Sequence, residues 1–442
     1  MRVLRTYGHV AILVAVALIE VVYAFPGYMN YDAADQLLQA RADFISDWHP
    51  PVIARYWQFF ELIVEGPFLL LVLQLALFIY GTYSLLRLRF STHPSAWITA
   101  AIVLFPPMFT TLAVVWKDSQ MAGFLVAGTA LAIRPHRILR VIGLLLLLLA
   151  AAVRHNAGAA LPTLFFLALP MAWGLRRYWV RLAITATLLV VTFVATSALN
   201  RVLVDRRDFS WYKTTAAFDI VGIGCHSSMT SDEEFVKLLE GTGLTQTTDV
   251  KQHFCGTFPP GTRDWFRYGD LFEWRAPAKQ RLARKAAWKR MIVAYPAAWI
   301  KARYLLAKDH LGLWKGVPTW EPVCQTFTGT PEQREQLHVD ATLSSFQQWA
   351  GARFVWLAEH TPFYKPWIYL LAGLLLFGWA IWRRDLLVGC IVGSGLSYQL
   401  SILLVANAPD FRYAHWMITC TILGLALRYS PSRAQRAVPH ES

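Results

Sequence analysis

Apolar residues along this chain come in long blocks, not in the alternation of strands, and most charged residues fall in the gaps between blocks. A helix needs roughly 20 residues to cross a bilayer. Against that length ten blocks stand out, near 9–28, 67–86, 96–115, 119–133, 138–153, 157–173, 180–200, 366–382, 386–407 and 411–428. The pattern predicts an all-α polytopic membrane protein of about ten transmembrane helices. Several blocks are short for a full crossing, so they would stand upright or leave their ends among the headgroups. The widest gap, 201–365, is too long for a connection and predicts a large, mainly helical extracytoplasmic domain.

Composition supports this class. Apolar residues make up 56% of the 442 and charged residues only 16%, more apolar surface than a soluble domain buries. Charge then sets the orientation. With the N-terminus inside, the inner segments carry fifteen basic residues (Arg2, Arg5, Arg87, Arg89, Arg134, Arg137, Arg140, Arg176, Arg177, Arg181, Arg383, Arg384, Arg428, Arg433 and Arg436) against two acidic ones. The short outer loops carry five basic against eight acidic residues. Both termini are therefore expected in the cytoplasm. The net charge of +14 is largely this inside bias, so the bilayer is the expected partner and nucleic acid is not. The opening "MRVLR", its apolar run and "VYAF" also have the shape of a signal peptide cleaved after Ala24, but Glu20 interrupts the run and favours retention.

The outer loops mix charge types where the inner ones do not. "NYDAADQLLQARADFISDWHPP" (30–51), "WKDSQ" (116–120), "VRHNAG" (153–158) and "NAPDFRYAH" (407–415) all fall on the outer side. In the first, Asp32 and Asp35 are three residues apart, so a helix over 33–42 places both carboxylates on one face, with Asn30 or Asp32 as its cap. Asp47 and His49 precede two prolines, which hold the chain extended. "VIARYWQFFELIVEG" follows as an amphipathic helix suited to the interface. Glu20, inside the first block, is expected to line a functional path or to be paired.

The long outer region adds two expectations. Cys225, Cys255 and Cys324 lie there, with Cys225–Cys255 the preferred pair, whereas Cys390 and Cys420 fall within apolar blocks. The stretch 275–307 alternates basic and apolar faces and is expected on the outer leaflet, with Lys285, Lys289 or Arg303 at lipid phosphates, or else as a solvated basic face. His226 and His253 show no metal-ligand spacing and are expected at the surface.

A long first span, an acidic outer loop and a Pro-Pro step resemble the GT-C superfamily of polyprenyl-phosphate-dependent glycosyltransferases, in its protein mannosyltransferase and aminoarabinose transferase branch. The motif runs from Pro26 through Asp32 to "HPPV" (49–52), with Asp118 at the start of the fourth block and Arg154 followed by Pro162 after the fifth. The likeness covers roughly 9–200, implying a seven-span module over 1–200 with a catalytic outer loop at 29–66, an extracytoplasmic domain at 201–365 and three further spans with a tail at 366–442. It implies transfer of a sugar from a polyprenyl-phosphate donor to a lipid, glycan or protein acceptor on the periplasmic side of a bacterial inner membrane, with Asp32 in the place of the catalytic acid. Ala33 stands where the family has Glu, and His49 where it has Lys.

The chemistry stands without the likeness. A departing phosphate needs cations near the bilayer surface, and Arg154, Lys117 and His155 suit that role. An acceptor hydroxyl needs a carboxylate to take its proton or orient it, and Asp32 fits that role, with Asp35 or Asp47 as the second carboxylate. Asp47, His49, Asp118, Asn156, Asp410 and Arg412 support the site. Asp118 is expected to position the neighbours of Lys117 or to hold His49. Asp35, Asp47 and His49 are also acceptable ligands for a divalent cation. Two other classes remain open: a transporter or lipid flippase, and an O-antigen polymerase or ligase with a pyrophosphate-linked donor. Transporters concentrate ionisable groups near the midplane in repeated halves, whereas here the charges gather at one surface with no repeat.

Overall fold

The computed structural model describes residues 2–169, 178–207, 213–229, 231–244, 255, 272, 277–313, 323–339 and 342–429. His253 lies outside them. Among the described residues the regular elements are helices, with three isolated β-bridges. Helix α1 (Arg2–Ala24) is followed by two short outer helices, α2 (Tyr31–Arg41) and α3 (Pro51–Glu61). Next come α4 (Phe68–Leu86), α5 (Thr92–Val103), α6 (Pro106–Leu112), α7 (Lys117–Ala132) and α8 (Arg137–Val153). A 3-10 turn (His155–Ala160), α9 (Leu161–Ala168) and α10 (Tyr178–Leu203) complete the first half. The long region between α10 and the last helices contributes α11 (Lys213–His226), α12 (Asp232–Leu238), α13 (Ala278–Ala294), α14 (Pro296–His310), α15 (Pro331–Leu337) and α16 (Ser345–His360). The chain closes with α17 (Pro366–Trp382), α18 (Leu386–Val405) and α19 (His415–Arg428).

Helices fall on all ten apolar blocks, but four are long and apolar enough to cross a membrane: α1, α4, α10 and α18. The bent pair α5 and α6 makes a fifth if it is one span. This is an integral membrane protein with a large helical region outside the spans. Two of the blocks turn within their length. The block 96–115 breaks by 75° between α5 and α6, where Pro106 and Pro107 remove backbone donors. The block 9–28 leaves helix at Ala24 and enters a cis Phe25–Pro26 bond.

Backbone freed by these breaks is satisfied by buried amides. Gln74 of α4 donates to the carbonyls of Leu112 (2.6 Å) and Val114 (3.0 Å), and Gln120 of α7 donates to Gln74 Oε1 at 2.7 Å. Leaving such carbonyls bare would cost about 1–3 kcal/mol each. Two glycines allow the close stacking of α4, α7 and α8. A Cβ on Gly81 would run into the backbone of Ala127, and one on Gly143 into that of Ala132. This stack fixes where α7 begins and α8 ends, which is where the charged residues lie.

The long region is tied to this bundle. Cys225 and Cys255 form the expected disulfide, and Cys390 and Cys420 are free thiols. The stretch 275–307 is two helices, broken at Pro296. Its Arg303 is buried and pairs with Asp219 at 2.7 Å, so the expectation of lipid contact fails at that residue. The acidic partner on α11 is what draws it inward. His226 is half-buried. Glu20 is fully buried, and neither of its oxygens has a hydrogen-bond partner.

Candidate functional site

Five chain segments converge at one end of the bundle. The first outer loop is anchored by a short parallel bridge in which Val115 N donates to Tyr28 O (2.8 Å) and Tyr28 N to Ala113 O (3.3 Å). From there Asn30 caps α2, its side chain accepting from Ala33 N at 3.2 Å. Asp32 and Asp35 follow on one face, one turn apart. Pro50 and Pro51 set the start of α3 and leave His49 buried beside them. Helix α7 opens with Lys117 and Asp118, helix α8 ends at Arg154, and Asp410 caps the turn that carries Arg412 by accepting from Arg412 N at 3.3 Å.

Two layers result. In the outer layer Asp32 Oδ2 accepts from Lys117 Nζ (3.2 Å) and Arg412 Nη2 (2.9 Å). Lys117 Nζ also lies 3.1 Å from His49 Nδ1. An ammonium only donates, so Nδ1 accepts and the ring carries its proton on Nε2. That Nε2 is buried without a hydrogen bond, 3.9 Å from Asp32 Oδ1 and 3.8 Å from Asp35 Oδ2. A donor and two carboxylates therefore surround one small gap. In the inner layer Arg154 donates from Nη1 to Asp118 Oδ2 (2.9 Å) and from Nε to the Tyr398 hydroxyl (2.8 Å). Arg412 joins the layers, with Nε 2.6 Å from Asp410 Oδ2 and 3.9 Å from Asp118 Oδ2. Tyr413 lies under both guanidiniums, and Trp116 under that of Arg412.

Asp35 differs from the other three carboxylates. Asp32, Asp118 and Asp410 each have an arginine or lysine partner, whereas Asp35 is held by Gln39 Nε2 at 2.6 Å. Burial pushes its carboxyl above the ordinary value; the Gln39 bond pulls it back and the charge of Asp32 pushes it up again. Burial also pushes Asp32 up, but Lys117, Arg412 and His49 outweigh it and hold that carboxyl well below the usual range. The His49 ring is lowered to about 3, by burial first and Lys117 next, and stays neutral. His155 opens to solvent beside the cluster.

Of the residues expected here, Asp32, Asp35, His49, Lys117, Asp118, Arg154, Asp410 and Arg412 are joined by contacts. Asp118 holds Arg154 rather than His49, because the α7–α8 stack sets its carboxylate against the end of α8. Asp47 is placed by its backbone, its N donating to Arg206 O at 3.2 Å, and Asn156 is half-buried in the turn after Arg154. Tyr398, Tyr413 and Trp116 were not expected. A lone "SYQ" inside an apolar block was the signal available for Tyr398.

Some capacity is left over. Arg412 Nη1 is buried with no partner, as is Asp118 Oδ1. Lys117 uses two of three donors, and Arg154 two of its three nitrogens. A divalent cation fits the residues poorly, since Nε2 of His49 carries a proton while Lys117 occupies Nδ1. No group of three His, Cys, Asp or Glu among the described residues is placed to hold a metal ion. The spare groups are thus anion-binding donors on one side and a carboxylate on the other. Comparison of the chain with protein-family models, curated proteins and solved structures returns no match.

Proposed function

We propose that the protein is a membrane glycosyltransferase that moves a sugar from a polyprenyl-phosphate donor to an acceptor hydroxyl at the mouth of the bundle. One observation carries the reading: a carboxylate without a cationic partner, Asp35, faces a gap bordered by cations with donors to spare. In this reading the acceptor hydroxyl sits among Asp35, Asp32 and His49 Nε2. Asp35 takes its proton as the hydroxyl oxygen attacks the anomeric carbon. The bond from that carbon to the phosphate oxygen breaks, and the phosphate leaves with the electron pair. Arg412 Nη1, Lys117 and the third nitrogen of Arg154 meet the charge that develops there. A single displacement inverts the anomeric centre. Asp32, tied to two cations, orients them and is too weak a base to take the proton itself.

The same reading includes ten crossings with both termini in the cytoplasm and the mouth facing outward. The arginines of the inner loops support it, as does the placement of the cluster at helix ends and not at mid-span. Glu20, buried and unpartnered within α1, favours the transporter alternative, since such residues mark ion paths. Purified protein in lipid vesicles, given a panel of labelled polyprenyl-phosphate sugars, separates the two. Donor turnover that is lost in folded Asp32→Asn and Arg154→Ala variants supports transfer. A wild type that neither turns over nor binds any donor sinks it.

A further inference from the structure

The outer end of α14 is fastened to the membrane helices at three points. Arg303 donates from Nη1 to the Ala406 carbonyl just past α18. His310 Nε2 meets Gln399 of α18 at 2.8 Å, and Trp367 N, in the first turn of α17, donates to Leu311 O at 3.0 Å. These contacts fix the end of α14 at the height where α17 begins and α18 ends. At 1.5 Å per residue, Tyr304 and Ile300 then lie within roughly 17 Å of that height. Both are open to solvent, at 62% and 59%, and α13 continues the pattern with Val293 at 81% and Leu282 at 69%.

Large apolar side chains this exposed are not explained by a solvated basic face. On α13, Leu282, Lys289 and Val293 are seven and four residues apart and share one side, flanked by Lys279 and Arg290. On α14, Ile300 and Tyr304 are four apart, with Lys301 beside them. Helix α13 carries no acidic residue. Apolar residues interleaved with cations, on α14 near the height of the α17 and α18 ends and continued on α13 that leads into it, match a leaflet with anionic headgroups. We propose that α13 and the exposed face of α14 rest on the membrane surface beside the mouth and bind anionic lipid, with Lys279, Lys289 and Lys301 at the phosphates. The Arg303 expected there from the sequence takes no part, being buried on Asp219. The proposal is independent of sugar transfer.

The full chain in nanodiscs of phosphatidylcholine alone, or with phosphatidylglycerol added, tests this. Lysines are acetylated with a water-soluble reagent and quantified by mass spectrometry, with Lys237, exposed on α12, as internal reference. In the anionic discs Lys279, Lys289 and Lys301 should label at least about threefold more slowly relative to Lys237, and high salt should restore their rate. Equal relative rates in the two lipids would overturn the proposal, as would a slowing shared by Lys237.

Discussion

Two ion-pair groups bind this molecule together, one at the mouth and one at the opposite ends of the same helices. In the second, Arg89, just past α4, donates from Nη2 to both oxygens of Asp385 at 2.6 and 2.7 Å and from Nη1 to Leu427 O at 2.8 Å. Asp385 also caps α18 by accepting from Val388 N at 3.2 Å. Every group there has a task, and the task is to clasp α4, α18 and α19. The mouth has more charges yet leaves Arg412 Nη1, His49 Nε2 and Asp118 Oδ1 without hydrogen bonds. Buried polar atoms left open carry a cost that a purely structural cluster would have removed. The clasp has its hydrogen bonds filled where the mouth keeps donors and acceptors open, as does the buried Arg303–Asp219 pair.

Variants can break that contrast. Asp118→Asn leaves Arg154 buried without its counter-charge, so it should destabilise the protein by about 3–5 kcal/mol, read by thermal unfolding in detergent. Adding Arg154→Leu should recover most of the loss, and failure to recover would mean the pair is not the cause. Arg412→Lys keeps the charge but cannot serve Asp32, Asp410 and a ligand together. Donor affinity should fall roughly ten- to a hundredfold, as expected for a lost charge-assisted hydrogen bond, in a titration with a polyprenyl-phosphate sugar. The smallest effect belongs to the clasp. Arg89→Ala should cost about 1 kcal/mol in the same unfolding measurement and leave donor affinity unchanged, because its side chain is partly solvated. A donor defect there as large as that of Arg412→Lys would erase the contrast.

Local features of the site were legible in the sequence. Asn30 as cap, the shared face of Asp32 and Asp35, the Pro-Pro start of α3 and the Cys225–Cys255 bridge all depend on near neighbours or compartment chemistry. The apolar blocks were legible as helices, but hydropathy does not register where a block turns, although "FPP" at 105–107 announces one such break. Pairings across the fold were hidden. Nothing in the sequence tells that Arg154 is held by Asp118 and Tyr398 while Arg412 bridges Asp32 and Asp410. Arg303 looked like a lipid contact for the same reason, since its partner Asp219 is distant in the chain.

Whether Asp35 is the base of the mouth is decided by the pH dependence of kcat in wild type and Asp35→Asn. The folded-state carboxyl of Asp35 is raised, so its basic form is lost at a higher pH than for an ordinary aspartate as the solution is acidified. His49, at about 3, adds no step near neutrality. Burial raises Asp410 too, so wild type should show acid limbs above the usual aspartate range from both groups, and Asp35→Asn should lose about 10²–10⁴-fold in kcat together with the Asp35 limb, while Asp410→Asn keeps that limb. A folded Asp35→Asn protein with the wild-type rate and the wild-type limbs would contradict the account.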